Sequence, residues 1–335
     1  MAGKKSIVVP YASTQDVISR NIPSYSPPED PLTYISTGCD LLDWELGGQG
    51  FPSGSITEYW AVESGGKTQL ALQVARSCLW AGGEVLYMDN DNGLVLNWPR
   101  KLGIDPHQLN PCHPVTLEET LSLIEAEVNY RWQADTPTLI VWDCISATQP
   151  KMVVEEKIGE KVQMCRRAAM LSEFFAREWM VKLGKSRIVL LMTNQLRDHP
   201  GVMYGEKEGP PGGKSIRYAA RIRMRLDMAE DIPHPQEPSL VIGRRMNITI
   251  VKNKYTGRRN TFGVSTYLDR GIDNLHTSLA YAYDEHGTPQ GRLHYQGKQW
   301  FRKELHLYLC EHPTEIDPFR EHVRKLWMGE TPSDD

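Results

Sequence analysis

The sequence predicts an α/β protein: a mostly parallel central sheet flanked by helices, with a short N-terminal arm and a small α/β C-terminal unit. Two observations lead there. Short apolar runs of strand length, such as 139–141 and 188–192, recur between longer segments whose apolar residues repeat at helical spacing. This is the pattern of strands covered on both faces by crossover helices. The chain also has 335 residues, more than one ordinary domain, so a large core with appendages is expected.

The elements follow in order. Residues 1–32 are rich in Pro, Ser and charge, with one short helical stretch at 13–20, and read as an arm that packs on something else. Ser55–Ala61 reads as a strand, Lys67–Trp80 as a helix, Glu84–Asp89 as a strand and 94–102 as a short helix. The next helix, 117–132, announces its start: Thr116 stands three residues before Glu119, a capping box, and Leu117, Leu121, Ile124 and Val128 share one apolar face. Thr138–Asp143 is an apolar strand, 162–183 one long amphipathic helix and 188–193 another apolar strand. Between 196 and 215 periodicity disappears into Gly201, Gly205, Gly209, Gly212, Gly213, Pro200, Pro210 and Pro211, and a loop this long inside a compact domain is usually functional. Segments 218–228, 240–252 and 261–268 then read as strands with partly alternating polarity, which adds antiparallel members to the sheet. A small mixed unit from about 271 ends in a helix at 318–328.

Composition excludes several classes. Hydrophobic residues make up 40%, charged residues 24% and aromatics 9%, which excludes wholesale disorder. No apolar run approaches the roughly 20 residues of a membrane helix, and Pro10 interrupts the N-terminal Ile7, Val8, Val9 stretch before a signal sequence could form, so a cytoplasmic location and no membrane partner are expected. Cys39, Cys78, Cys112, Cys144, Cys165 and Cys310 are scattered without metal or redox spacing and read as reduced thiols. The 38 basic and 42 acidic residues give a net charge of −4, but the total hides its distribution: residues 214–260 hold 11 Lys and Arg against 4 Asp and Glu. A basic segment on an acidic body suits salt-sensitive nucleic-acid binding.

The chemistry centres on Ala61, Val62, Glu63, Ser64, Gly65, Gly66, Lys67 and Thr68, which follow a strand and open a helix. That is the context of the phosphate-binding pattern G-x-x-x-x-G-K-[ST], with Ala61 where the pattern has its first glycine. Inward-pointing backbone N–H groups and Lys67 would hold phosphate oxygens, and the Thr68 hydroxyl would ligate Mg²⁺. Asp143, ending an apolar strand, is a candidate to hold the same Mg²⁺ through water, although an acid at a strand end is also ordinary turn chemistry. A second acidic strand end, Asp89, Asn90 and Asp91, offers a general base for an attacking water or, equally, a turn.

These residues together carry a resemblance. Ile35 to Gly38, Leu41 to Asp43, Leu46 and Gly47, Glu63 to Thr68, Arg100 to Gly103, Asn194 and Gln195, Gly201 to Gly205, Gly212 and Gly213, and Val251 to Lys254 stand in the order and spacing of the RecA-type homologous recombinases. The chain therefore resembles bacterial and phage members of that family. The resemblance implies a RecA-like P-loop ATPase core over 33–270, an N-terminal oligomerisation arm over 1–32 and a small C-terminal domain over 271–335. It implies an ATP- and Mg²⁺-dependent DNA recombinase, a DNA-dependent ATPase that forms helical filaments of its own copies on single-stranded DNA and exchanges strands with a homologous duplex. An ATP-switched mediator with little hydrolysis and a hexameric helicase or loader motor are the alternatives.

Residue by residue, the resemblance implies that Glu63, Ser64, Gly65, Gly66, Lys67, Thr68 and Gln69 bind the nucleotide, with Thr68 and Asp143 on Mg²⁺. Asp91 falls at the catalytic acid, one methylene shorter than the family's Glu. Gln195 falls at the γ-phosphate sensor, and Lys252 and Lys254 at lysines that reach a neighbour's phosphate. Trp98 falls where an aromatic stacks on adenine, a buried core Trp being the plain alternative. Two DNA-binding loops correspond to about 153–163 and 196–214. Arg166, Arg167, Ser172, Arg177, Arg197, Pro200, Met203, Gly212, Gly213 and Lys214 are the implied DNA contacts. Arg221, Arg223, Arg225, Arg244, Arg245, Arg258 and Arg259 are candidates for a weaker duplex surface, with structural ion pairing as the alternative for each.

Overall fold

A computed structural model describes residues 31–155, 166–198, 208–234 and 236–330. Nine strands form the main sheet, numbered here β1 (Ser55–Ala61), β2 (Glu84–Asp89), β3 (Pro111–Cys112), β4 (Thr138–Asp143), β5 (Ile188–Gln195), β6 (Ile222–Pro233), β7 (Val241–Asn253), β8 (Thr261–Tyr267) and β9 (Gly271–Ile272). Their spatial order is β9-β8-β7-β6-β1-β5-β4-β2-β3. From β6 to β3 every pairing is parallel, and β6 to β9 form an antiparallel meander. The mostly parallel sheet with antiparallel additions is thus as expected, and the physical reason lies in the strands: β1 and β4 are buried along their whole length.

Two apolar layers cover the sheet. Alternation along β4 sends Leu139 and Val141 into one core and Ile140 and Trp142 into the other. The first core is filled by the helices α1 (Asp40–Leu46) and α2 (Lys67–Trp80), and by the C-terminal helices α9 (Asn274–His286), α10 (Arg302–Glu311) and α11 (Ile316–Trp327). The second is filled by α4 (Leu117–Arg131), α6 (Arg166–Phe174) and α7 (Trp179–Leu183). Short helices α3 (Asn97–Lys101), α5 (Lys151–Glu155) and α8 (Gly213–Ala219) complete the set among the described residues. The sheet continues through Ile272, and Leu279, Leu305, Phe319 and Val323 are buried in the first core, so residues beyond 270 share the core of the body. Arg320 clamps them to α1, donating from Nε and Nη2 to the two Asp40 oxygens at 2.5 and 2.6 Å.

The capping box of α4 forms: the Thr116 hydroxyl accepts the Glu119 N–H at 3.2 Å and the Glu119 carboxylate accepts the Thr116 N–H at 3.3 Å. Two expectations are corrected. The long helix expected over 162–183 is broken between Phe174 and Trp179, where the Trp179 indole donates to the Phe174 carbonyl at 2.8 Å and the two rings lie 4.5 Å apart. This side chain satisfies the helix-end carbonyl and makes a stop that periodicity does not show. The strand expected from 218 starts at Ile222, because Gly213–Ala219 is helical and packs on α6. Residues 1–30, 156–165, 199–207, 235 and 331–335 lie outside the described residues, and with them all but the last two residues of the expected arm, most of the first expected DNA loop and the middle of the second.

Candidate functional site

Four neighbouring parallel strands, β1, β5, β4 and β2, end on the same edge of the sheet, and each contributes to one site. Strand β1 leads into the phosphate loop. Ser64 and Gly66 there adopt positive φ (55° and 83°), and Lys67 opens α2. A Cβ on Gly65 would stand 2.5 Å from the Ala61 Cβ and 2.9 Å from the Val62 carbonyl. The methyl group that Ala61 brings in place of the pattern's glycine is therefore accommodated because position 65 has none. The Lys67 ammonium lies within the loop and donates to the Val62 carbonyl at 3.1 Å, while the Lys67 carbonyl accepts the Tyr59 hydroxyl at 2.8 Å.

Asp143 ends β4 and is almost wholly buried. Its carboxylate accepts three hydroxyls, from Thr68 (2.8 Å), Tyr87 (2.7 Å) and Thr193 (2.5 Å). Burial raises its pKa, and the Thr193, Tyr87 and Thr68 donors oppose that rise. Thr68 and Asp143 thus stand in direct contact. At the end of β2, Asp89 accepts the Gly93 and Leu94 N–H groups at 3.0 and 3.1 Å and so builds the turn, which leaves Asp91 beside the site. Asp91 accepts the Gly93 N–H at 3.0 Å and the Cys144 thiol at 3.7 Å. Its pKa is raised, first by partial burial and also by the Asp89 charge, with the Gly93 N–H pulling the other way. Ligand atoms of Asp91, Asp143 and Cys144 all lie within 4.8 Å of one another. Gln195 ends β5 directly beside Ala61 in register, and its side-chain oxygen accepts the Ser146 hydroxyl at 3.4 Å.

A cavity of about 570 Å³ opens here, lined by Glu63, Ser64, Gly65, Gly66, Lys67, Thr68, Gln69, Asp91, Trp98 and Gln195. The structure therefore brings these sequence-derived candidates together, with Asp143 beneath Thr68. Gln69 also donates to the Thr266 hydroxyl, fixing α2 to β8.

Other candidates lie elsewhere. The Lys252 ammonium donates to the Arg217 and Ala220 carbonyls at the end of α8, both at 2.5 Å, and burial together with Lys254 and Arg223 lowers its pKa to about 8. Lys254 is exposed. Gly212 and Gly213 take positive φ (122° and 77°) and start α8, and Lys214 is exposed on it. Of the expected DNA contacts, Arg166 is exposed. Arg167 turns inward onto the Ile145 carbonyl, and the exposed Ser172 hydroxyl donates to its own helix at Ala168. Arg177 is ion-paired with Glu173 and Glu125 at 2.7 and 3.2 Å, so its charge is already matched. Pro200 and Met203, and the Arg197 side chain, lie outside the described residues.

The proposed duplex surface is largely consumed by internal pairing. Arg223 is buried and bonds Glu58 at 2.6 Å, Arg225 pairs with Asp227, Arg245 with Asp284, and Arg258 lies over the Trp327 ring. Alternation does place Arg223 and Arg225 on one face of β6, but that face points into the protein at Arg223, because Glu58 on the adjacent β1 supplies the counter-charge. Arg221 and Arg259 are exposed and form no ion pair among the described residues.

Sequence reasoning missed Tyr87 and Thr193, the other donors to Asp143, and a buried network around Glu58. The Asn194 amide donates to Glu58 at 3.0 Å and to the Pro211 carbonyl at 2.7 Å, joining the strand that feeds the phosphate loop to the end of the Gly-rich segment. The signal was present as polar residues, Glu58, Thr193 and Asn194, inside otherwise apolar strands.

Comparison with known proteins agrees with this architecture. The profile of the RecA N-terminal domain matches residues 26–273. Protein RecA of Lactobacillus delbrueckii subsp. bulgaricus is 28% identical over 308 residues, covering 88% of this chain and 79% of the relative. Protein RecA of Chloroherpeton thalassium is 34% identical over 241 residues, covering 72% of this chain and 65% of the relative. Among solved structures, the RadB recombinase superposes with a TM-score of 0.51 at 22% identity, covering 71% of this chain and 98% of that one.

Proposed function

The chain belongs to the RecA family, and on that premise we propose that it is an ATP-dependent DNA recombinase that forms helical filaments on single-stranded DNA and catalyses homologous pairing and strand exchange. One observation carries the ATPase half of this reading: a phosphate loop, a buried strand-end carboxylate in contact with its Thr68, a second carboxylate and a glutamine converge on one cavity.

The residues fit a magnesium–nucleotide. Gly65 and Gly66 let the loop pack closely on Ala61, Met228 and Met246 beside the cavity, and the Thr68 hydroxyl and Asp143 carboxylate offer the oxygen donors that Mg²⁺ prefers. When bound, Mg²⁺ supplies positive charge to the β- and γ-phosphate oxygens. Lys67 adds its ammonium to the same oxygens, turning from the Val62 carbonyl. Asp91 orients the attacking water and takes its proton, and its raised pKa makes it a better base than an ordinary carboxylate. Gln195, at the head of the second proposed DNA loop, senses the γ-phosphate, and Asn194 holds the far end of that loop at Pro211. Lys252 and Lys254 reach a neighbouring copy's phosphate once filaments form, so hydrolysis is tied to assembly. Arg166, Gly212, Gly213 and Lys214 contact the DNA backbone. The proposed organisation is an arm over 1–32, the ATPase core over 33–270 and a C-terminal unit over 271–335, working in the cytoplasm of a bacterial cell or phage-infected host.

The short Asp91 side chain favours a second reading, an ATP-switched DNA-binding protein with slow turnover. Electron microscopy with single-stranded DNA and a non-hydrolysable ATP analogue, beside DNA-stimulated ATP turnover and strand exchange, separates them. Helical filaments with strand exchange support the recombinase. Closed rings, or Lys67→Ala filaments of normal extension, overturn it.

A further inference from the structure

The nucleotide cavity has a wall that sequence reasoning assigned elsewhere. Met228 of β6, Val241 and Arg244 of β7, and Thr266 and Leu268 at β8 line it together with the phosphate loop and Trp98. Arg244, which the sequence offers as a candidate for duplex DNA, lines this cavity.

Its position along the cavity follows from strand geometry. The loop touches the sheet at Gly66, where a Cβ would stand 2.7 Å from the Met228 side chain and 3.1 Å from the Met246 sulfur. Arg244 lies two residues from Met246 on β7, and the register through Met246 and Arg244 is unbroken against β8. It therefore shares Met246's face and stands about 7 Å farther from the phosphate grip, at two strand rises. Phosphates held by the loop leave this far end to the base and ribose. The guanidinium is held there: Nε donates to Asp231 at 3.0 Å, directly across the strand pair. Its terminal nitrogens make no hydrogen bond among the described residues, and a guanidinium offers only donors.

We propose that Arg244 is a nucleotide-binding residue that donates from its terminal nitrogens to acceptor atoms on the base–ribose end of the nucleotide, with Asp231 fixing its direction. The assignment rests on the reading of the cavity as a nucleotide site and adds a determinant of which nucleotide it accepts. Arg244 acts on the part that ATP and ADP share, so losing it weakens both equally. Inorganic tripolyphosphate, which has no base or sugar, does not register the loss.

The test is titration of the full-length protein with ADP, ATP and tripolyphosphate, each with Mg²⁺, by calorimetry. Arg244→Ala is expected to weaken ADP and ATP by about tenfold each, the loss of a charge-assisted hydrogen bond, with tripolyphosphate affinity unchanged. Arg244→Lys, lacking the fork that Asp231 orients, recovers part of the loss. A parallel fall in tripolyphosphate affinity would make Arg244 a phosphate ligand and overturn the proposal. So would unchanged ADP affinity with weakened duplex DNA binding. Lys67→Ala separates the two levels: if it weakens tripolyphosphate and ATP while Arg244→Ala changes neither nucleotide, the site reading stands and the Arg244 assignment falls. If Lys67→Ala changes nothing, both fall.

Discussion

Arg223→Met is expected to cost about 3–5 kcal/mol, because it leaves a buried carboxylate without its counter-charge. Glu58 and Arg223 are both buried, and their 2.6 Å bond is the only ion pair either makes among the described residues. Without the guanidinium, Glu58 Oε2 loses its donor and only the Asn194 amide at 3.0 Å on Oε1 remains. The guanidinium also lies 4.6 Å from the Trp60 ring centre, a contact worth about 1 kcal/mol that Met partly replaces by packing. At roughly 2 °C per kcal/mol for a chain of this size, Tm should fall by about 6–10 °C. Paired variants make the reasoning testable. Glu58→Leu with Arg223→Met removes both charges and should recover most of the loss, since the desolvation penalty disappears with the pair. The assay is thermal or urea unfolding of the four proteins of the cycle. A single Arg223→Met variant within about 1 kcal/mol of the parent, or a double variant no better than the single one, would refute the buried-pair argument.

Three further outcomes are expected. Gly65→Ala should weaken ATP binding at least tenfold, because its Cβ would meet the Ala61 methyl at 2.5 Å; adding Ala61→Gly should restore part of it, and no restoration would refute the exchange of methyl positions. Asp43 is buried and its pKa is pushed up to about 6 by that burial, against donors on Ser36 and Thr37. Between about pH 6 and pH 4 the folded protein therefore binds a proton that the unfolded chain does not, so this group's contribution grows as pH falls through that window and is lost as pH rises through 6. Relative to Asp43→Asn, the parent should gain about 2–3 kcal/mol on going from pH 7 to pH 4; parallel stability curves would count against it. Arg320→Ala should cost about 1–2 kcal/mol and speed proteolytic release of the segment beyond Ile272, an effect absent if the two short bonds to Asp40 do not hold that segment.

Much of the fold was legible because it is locally written. The capping box at Thr116 and Glu119, the apolar β4 and the loop between β1 and α2 each reside within one short window, where periodicity and turn chemistry act. The break at Phe174 was not legible, since it depends on where the Trp179 indole turns. The same division runs through the site. Lys67, Thr68 and the strand-end acids are legible as candidates from spacing and turn chemistry, whereas Tyr87 and Thr193 became partners of Asp143 only when β2 and β5 flanked β4.

The basic segment from 214 to 260 makes the distinction concrete. Sequence by itself determined the family, the phosphate loop and the charge excess, because these depend on residue identity and order. Tertiary structure alone decided which partner each charge meets: Arg223 neutralises Glu58 across 165 residues, Arg245 meets Asp284 in the C-terminal segment, and Arg244 pairs with Asp231 and lines the cavity beside residues 63–69. Electrostatic partners are set by which strands lie side by side, and a charge count along the chain carries no record of that.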